Sequence, residues 1–166
     1  MESSHYSGEG PEIVHAQRRE LVYDVRQLLW GDMPVRFEFD YGHKILLVLF
    51  EGDMRDAEAF TIKAKVVSYM ERLRPLAGIA DLSGVKTFDV SGQTMRTVAR
   101  QPPHPEEIPR FIVAPQDHVF GMARMYELTE TKTEGKMHVV RSREQALETM
   151  GVKDAKFEPV ELPEVI

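Results

Sequence analysis

Six consecutive apolar residues, Ile45 to Phe50, constrain the fold more than any other segment of this 166-residue chain. A strand with one solvated face alternates apolar and polar residues, so an unbroken apolar run indicates a strand covered on both faces. Upstream, Val35, Phe37 and Phe39 alternate with charged residues, which is typical of a half-buried strand. The turn residues 41–43 lie between the two segments, and the sequence therefore predicts an antiparallel hairpin.

Downstream of the hairpin, short apolar segments alternate with segments of helical periodicity. Strands are predicted at 76–82, 111–114 and 137–140. Four helices are predicted between and after them, with these inward-facing residues: Ala57, Phe60, Ala64, Val67 and Met70 in the first; Met95, Val98 and Ala99 in the second; Val119, Met122, Ala123 and Tyr126 in the third; Ala146, Leu147 and Met150 in the last. Such alternation indicates a mixed, mainly parallel α/β sheet with crossover helices, in the order ββαβαβαβα.

Individual residues predict where some of these elements end. The strand that begins at Ile45 is expected to end at Gly52, with Asp53 as the N-cap of the first helix. Asp117 is the corresponding candidate for the third helix. Residues 142–145 fit a capping box for the last helix, and Gly151 is its expected stop.

The alternating pattern places one domain at residues 34–152. Residues 1–33 are predicted to be a flexible leader, with an additional amphipathic helix over 12–30. Residues 153–166 are predicted to be an extended acidic tail, because they contain two prolines among acidic residues.

Composition excludes several functional classes. A net charge of −6 and a pI near 5.5 argue against a nucleic-acid partner, since phosphates would be repelled. The chain has no cysteine, and its six histidines lack the spacing of a metal motif, so neither a metal site nor a cofactor is expected. The start of the chain lacks a signal-peptide pattern, and the longest apolar run is too short for a membrane span. A cytoplasmic location is the expectation.

The stretch from Gly78 to Gly92 carries a family resemblance. Asp81-Leu82-Ser83 ends a predicted strand, and Asp89-Val90-Ser91-Gly92 opens the next predicted helix after a short loop. This arrangement resembles the STAS domains, the superfamily of the bacterial anti-sigma-factor antagonists, in which a strand ends in Asp-Leu-Ser and Asp-Ser-Ser-Gly opens a helix. The segments 111–117 and 120–126 are similar to a branch of small bacterial STAS-like proteins.

The resemblance implies a STAS-like fold and a role in binding a protein partner. Ser91 corresponds to the serine that is phosphorylated in the family, whereas Val90 replaces the serine before it. The surface implied for partner contact comprises Ser91 with Asp89, Gly92, Arg96 and Arg100. Helix capping is the alternative role for Asp89 and Ser91, because both side chains accept hydrogen bonds from first-turn amides.

A second candidate site lies on the third predicted helix. Phe120, Met122, Met125 and Tyr126 could line a pocket for a small apolar ligand. Alternatively, Met122 and Tyr126 belong to the core, while Phe120 and Met125 form a partner interface. No catalytic residue is predicted, because no acid, base and nucleophile stand in a recognisable spacing.

Two functions therefore lead at the level of sequence, and an enzymatic role stays open as a third. The first is a non-catalytic protein-interaction module, regulated by phosphorylation in one version of the hypothesis and able to form a homodimer. The second is a carrier of a small molecule or lipid. A continuous apolar cavity would favour the carrier, and a closed core would favour the module.

Overall fold

The computed structural model describes residues 35–101, 108–129 and 136–161. The predicted leader and the helix over 12–30 lie outside these residues. The described residues form six strands and four helices, in this order: β1 (Val35–Asp40), β2 (Ile45–Arg55), α1 (Asp56–Leu73), β3 (Ala77–Asp89), α2 (Gly92–Arg100), β4 (Arg110–Val113), α3 (Asp117–Thr129), β5 (Met137–Val140), α4 (Arg143–Thr149) and β6 (Glu158–Pro159).

These strands form a single mixed sheet in the order β5-β4-β3-β2-β1-β6. Strands β2 to β5 are parallel to one another, and β1 is antiparallel to both β2 and β6. The predicted order ββαβαβαβα and the predicted mixed sheet are both confirmed. β2 and β4 are interior strands, as their unbroken apolarity predicted.

The sheet separates two apolar cores. One face carries Phe37, Leu46, Val48 and Phe50, which pack with buried residues of α1, α2 and α3. The other face carries Ile45, Leu47, Ile79, Phe111 and Val113, which pack with Ala146 of α4 and with the half-buried Phe157. Coverage of both faces explains why β2 contains no polar residue before Glu51.

β2 and β3 continue beyond the other strands as a two-stranded arm, which the sequence did not predict. In this arm, residues 51–55 pair with residues 84–89, after register shifts next to Glu51 and Gly52. The predicted strand ends at Gly52 and Asp81 were therefore wrong. Asp53 is not the N-cap of α1 but accepts a hydrogen bond from the Thr87 hydroxyl across the arm. The helix begins after Arg55, whose backbone N–H donates to Glu58 Oε2.

The inner face of α1 also differs from the prediction. Ala59, Ile62 and Met70 are its buried residues, whereas Ala57 and Ala64 are exposed and Phe60 is 39% exposed. Apolar residues surround most of this helix, so the sequence fits two stripes and tertiary packing selects one of them. The inward residues predicted for α2 are buried, and those predicted for α3 and α4 are buried or half-buried.

The last helix has the predicted ends. Ser142 Oγ accepts a hydrogen bond from the Gln145 N–H at 3.1 Å, as a capping box requires. The Gln145 side chain returns to the N–H of Arg141 rather than to that of Ser142. Gly151 ends the helix at φ +69°, a left-handed conformation that favours glycine.

The chain continues the sheet beyond residue 152. Glu158 and Pro159 pair with Phe39 and Glu38 of β1, and the Val160 N–H donates to the carbonyl of Phe37. Residues 158–160 of the predicted tail therefore join the edge of the sheet, and residues 162–166 lie outside the described residues.

Candidate functional site

Ser91 lies between the arm and α2. β3 ends at Asp89, Val90 turns into the core at 6% exposure, and α2 begins at Gly92. Ser91 is exposed, and its hydroxyl accepts a hydrogen bond from the Thr94 N–H at 3.1 Å. Ser91 is therefore the N-cap of α2, which is the capping role that its residue type predicted. Asp89, the other capping candidate, is the last residue of the strand and lies outside the helix.

Asp56, the first residue of α1, forms a second contact with Ser91. Its Oδ1 accepts a hydrogen bond from the backbone N–H of Ser91 at 2.7 Å. This hydrogen bond is the main reason that the pKa of Asp56 lies below its ordinary value. The contact joins the beginning of α1 to the beginning of α2 through the backbone of Ser91.

The predicted surface on α2 meets α3. Gly92, the first residue of α2, lies close to α3. A Cβ at Gly92 would lie 3.4 Å from Arg96 Nη1 of α2 and 3.6 Å from Met125 Cε of α3. Arg96 and Arg100 are exposed, and the Arg96 guanidinium lies over the first turn of its own helix, 3.9 Å from the sulfur of Met125. Met125, predicted as part of a separate pocket, therefore borders the Ser91 surface.

The four residues predicted to line one pocket lie on different sides of α3. Phe120 and Met125 are five positions apart, which turns them about 140° from each other around a helix. The Phe120 ring lies beneath the guanidinium of Arg141, 3.9 Å from its centroid. Met122 packs against the core between the sheet and the helices α1, α2 and α3, and Tyr126 lines a cavity in that core. All four side chains pack against this core, and Tyr126 is the one among them that lines the cavity, so a pocket formed by the four together stays a prediction.

The cavity lies between the sheet and the helices α1, α2 and α3, and its volume is about 190 Å³. Tyr126 is the one residue of the predicted pocket among the described residues that line it. The remaining walls come from β2, β3, α1 and α2. Sequence periodicity identifies inward residues of each element separately, so it could not show where their side chains leave a gap.

Asp81, at the end of the predicted strand, has a structural role. Its Oδ1 accepts the Ser83 N–H at 2.9 Å, and its Oδ2 accepts both Nε and Nη2 of Arg143. Burial alone would raise the pKa of Asp81, but these hydrogen bonds and the positive charge lower it. The carboxylate therefore holds the backbone at Ser83 and the start of α4 against the sheet.

The described part of the chain contains neither a cluster of metal-ligating side chains nor a helix that could span a membrane. Over residues 35–101, 108–129 and 136–161, no three His, Asp or Glu side chains are placed to share a metal ion. Within the same ranges, no helix combines the length and apolarity that crossing a bilayer requires.

The fold and the site together define a mixed α/β domain with an exposed serine at a helix N-cap. No family model matches the chain, and no curated protein matches it. Among solved structures, the chain is similar to the phosphorylated form of the Bacillus cell fate determinant SpoIIAA, with 11% identity and a TM-score of 0.41 over 70% of this chain and 99% of SpoIIAA.

Two further structures are similar to this chain at the same level or below it. The unphosphorylated form of SpoIIAA, described as an anti-sigma factor antagonist, has 10% identity and a TM-score of 0.41 over 71% of this chain and 98% of its own length. Mglu has 15% identity and a TM-score of 0.34, and the match spans 77% of this chain but 26% of Mglu.

Proposed function

We propose that this protein is a non-catalytic interaction module that binds a protein partner through the surface formed by Asp89, Ser91, Gly92, Arg96 and Arg100. The observation that carries the proposal is the exposed residue Ser91, which forms hydrogen bonds to both α1 and α2. Arg96, Arg100 and the nearby Met125 give the surface the mixed charged and apolar character of many protein interfaces.

Phosphorylation of Ser91 would change this surface, because the serine would lose its contact with Asp56 and gain one with Arg96. A phosphate adds about −1.5 to −2 charges and strong acceptor oxygens. The Asp56 carboxylate, which holds the Ser91 N–H, would repel it. The Arg96 guanidinium, which lies over Gly92, would attract it. The modified serine would therefore leave Asp56 and bind Arg96, which alters the surface and loosens the junction of α1 and α2.

A pair of substitutions separates charge from capping at Ser91. Asparagine and aspartate are both good N-caps and have similar shapes, so Ser91→Asn and Ser91→Asp differ mainly in charge. We expect Ser91→Asp to lower the melting temperature relative to Ser91→Asn, because it places a second carboxylate beside Asp56. Adding Asp56→Asn to each variant should remove most of that difference. Equal melting temperatures for the two single variants would contradict the proposed exchange of neighbours.

Affinity capture from the native cells, read by quantitative mass spectrometry, tests the docking surface. We expect a partner that the unmodified protein and Ser91→Asn retain, and that Ser91→Asp retains about tenfold less, equivalent to about 1.4 kcal/mol. Arg96→Ala should weaken the same partner, whereas Arg72→Ala, which replaces an exposed arginine on α1, should not. A partner bound equally by all four variants would place the interface elsewhere and overturn the proposal.

A further inference from the structure

The cavity beneath α2 results from small residues on the elements that surround it. Gly78 and Ala80 lie two positions apart in β3, so both are on the face of the sheet that forms the cavity floor. Ala59 of α1 and Ala123 of α3 border the same space from the helices. These four positions leave a volume of about 190 Å³ that the larger side chains around them do not fill.

Two paired residues in the middle of the sheet show the same gap. Ala80 of β3 and Ile112 of β4 are partners in the parallel register of two interior strands. Apolar residues in such positions are normally fully buried, yet both are only half-buried. Their neighbours Ile79 and Phe111, which face α4, are buried. The two faces of the same strands therefore differ, and the accessible space lies on the side of α1, α2 and α3.

The polar groups of the cavity lining are already engaged. Among the described residues that line it, Lys63, Arg110 and Tyr126 are those whose side chains contain nitrogen or oxygen. Lys63 Nζ donates to the carbonyl of Val98 at 2.6 Å and to that of Gln101 at 3.4 Å, at the end of α2. Arg110 and Tyr126 also interact with other groups of the protein. A charged ligand would therefore lose its hydration without gaining a partner.

Sulfur and aromatic groups form much of the remaining wall. Four methionines, each from a different element, are buried around the cavity: Met54, Met70, Met95 and Met137. Phe50 and Phe88 line it from β2 and β3. Methionine adapts its shape to irregular spaces, and its sulfur forms favourable contacts with aromatic rings. Phenylalanine rings also pair favourably with a further ring. These walls favour an aromatic ligand over a saturated one of the same size.

We propose that this cavity binds an uncharged molecule with one aromatic ring and a short alkyl substituent, about the size of toluene. A buried apolar cavity of about 150 Å³ accepts benzene, so the larger volume here has room for a substituent on the ring. Such a ligand needs no hydrogen-bond partner, and it leaves the contacts of Lys63 with α2 intact. The site is distinct from the Ser91 surface, and neither proposal depends on the other.

Titration of the full chain with toluene, followed by the methyl resonances of its methionines, tests the site. We expect saturable shifts of the four lining methionines, with one molecule bound per chain. The methyl resonance of Met150 should not move, because Met150 packs against the core on the other face of the sheet. Absence of saturable shifts, or equal shifts at Met150, would overturn the proposed site.

Substitutions of alanine test whether toluene occupies the cavity. Ala59→Leu fills part of it from α1 and should weaken toluene about tenfold or more, because the leucine side chain takes the space of the ligand. Ala64→Leu is the matched control, since Ala64 is exposed on the same helix and should leave binding unchanged. Ala80→Leu fills the cavity from β3 and serves if Ala59→Leu does not fold. Binding that is insensitive to both filling variants would overturn the site.

Two analogues of toluene test the proposed ligand class. Methylcyclohexane has the same carbon skeleton without the aromatic ring, and should bind about threefold more weakly because it lacks the ring contacts with sulfur. Benzoate carries a carboxylate in place of the methyl group, and should bind about a hundredfold more weakly because that charge would be buried without a partner. Equal affinity for methylcyclohexane would overturn the preference for an aromatic ring. Equal or tighter binding of benzoate would overturn the assignment to an uncharged ligand.

Discussion

Asp40 shows how a single residue can depart from the pattern of its strand. The alternation in β1 predicts that Asp40 lies on the solvent-exposed side of the strand, yet it is 2% exposed. Its carboxylate accepts hydrogen bonds from the backbone N–H of His43 at 2.9 Å, from the His43 ring at 3.0 Å, and from the N–H of Lys156 at 2.9 Å. A turn residue such as His43 is predictable from sequence, whereas a donor 116 positions away is not.

These contacts predict a defined pH dependence of stability. Burial would raise the pKa of Asp40, but the hydrogen bonds from His43 and Lys156 outweigh it and lower the pKa from 3.8 to about 2. A carboxyl group whose pKa is lower in the folded state stabilises the fold above its unfolded pKa. That contribution is therefore complete above about pH 5 and is lost as the pH falls from about 4 towards 2.

Asp40→Asn tests this dependence. The amide cannot accept all three bonds, and we expect it to lower the free energy of unfolding by about 1–3 kcal/mol at pH 7. The difference from the unmodified protein should shrink steadily between pH 5 and pH 2, as measured by urea unfolding at each pH. Asp154→Asn is the control, because Asp154 is exposed and its left-handed backbone suits either residue. A difference that stays constant over this pH range would show that the charge of Asp40 does not contribute.

At the scale of elements, the sequence predicted which segments fold as strands and helices better than where two of the strands end. The arm residues 51–55 and 84–89 contain glycine and charged side chains, which suggested loops. They form strands because β2 and β3 continue to pair with each other after the neighbouring strands have ended. The apolar residues of the arm, Met54, Val85 and Phe88, do not alternate regularly with polar ones, so hydrophobic periodicity did not detect these strands.

Gly84 makes the close pairing in this arm sterically feasible. A Cβ at this position would lie 2.8 Å from the carbonyl oxygen of Phe50 and 3.0 Å from Cγ of Glu51. The backbone of β2 cannot move away without disturbing its own hydrogen bonds. The arm therefore requires a residue without a side chain at position 84.

Two glycine-to-alanine substitutions should have opposite effects. We expect Gly84→Ala to lower the free energy of unfolding by about 1–3 kcal/mol, because the new methyl group forces the two strands apart. Gly121→Ala should raise it by about 0.5–1 kcal/mol, since Gly121 lies within α3 and a Cβ there would contact nothing within 4 Å. Chemical denaturation of both variants checks the signs. A neutral Gly84→Ala would mean that the arm is not held as closely as its register indicates.

At the scale of the whole molecule, the order of elements was predictable because every step of the chain carries a local signal. The contacts that create the candidate sites are not local. Ser91 could be identified as a cap from its residue type, but its bond to Asp56 spans 35 positions. The cavity arises from small mismatches between several packed elements, and no single segment encodes it.

The C-terminal residues illustrate the same point, because they complete a domain whose pattern ends near residue 152. Phe157 packs against the core on the α4 side of the sheet, and the Lys156 N–H is one of the donors to Asp40. The carbonyl of Val160 accepts a hydrogen bond from the Tyr69 hydroxyl of α1, and its N–H bonds to β1. These contacts connect the last described residues to both faces of the sheet.

Truncation after Val152 should therefore destabilise the domain. We expect a loss of roughly 2–4 kcal/mol, from exposure of the apolar surface that Phe157 covers and from removal of a donor to the buried Asp40. Truncation after Glu161 is the control, since it retains every contact named above and should unfold at the same denaturant concentration as the full chain. The shorter chain should also have a smaller contribution from the Asp40 charge, so its stability should fall less steeply between pH 5 and pH 2. If both truncated chains unfold like the full chain at pH 7, residues 153–161 do not contribute to the fold, and the pairing of β6 with β1 does not stabilise the sheet.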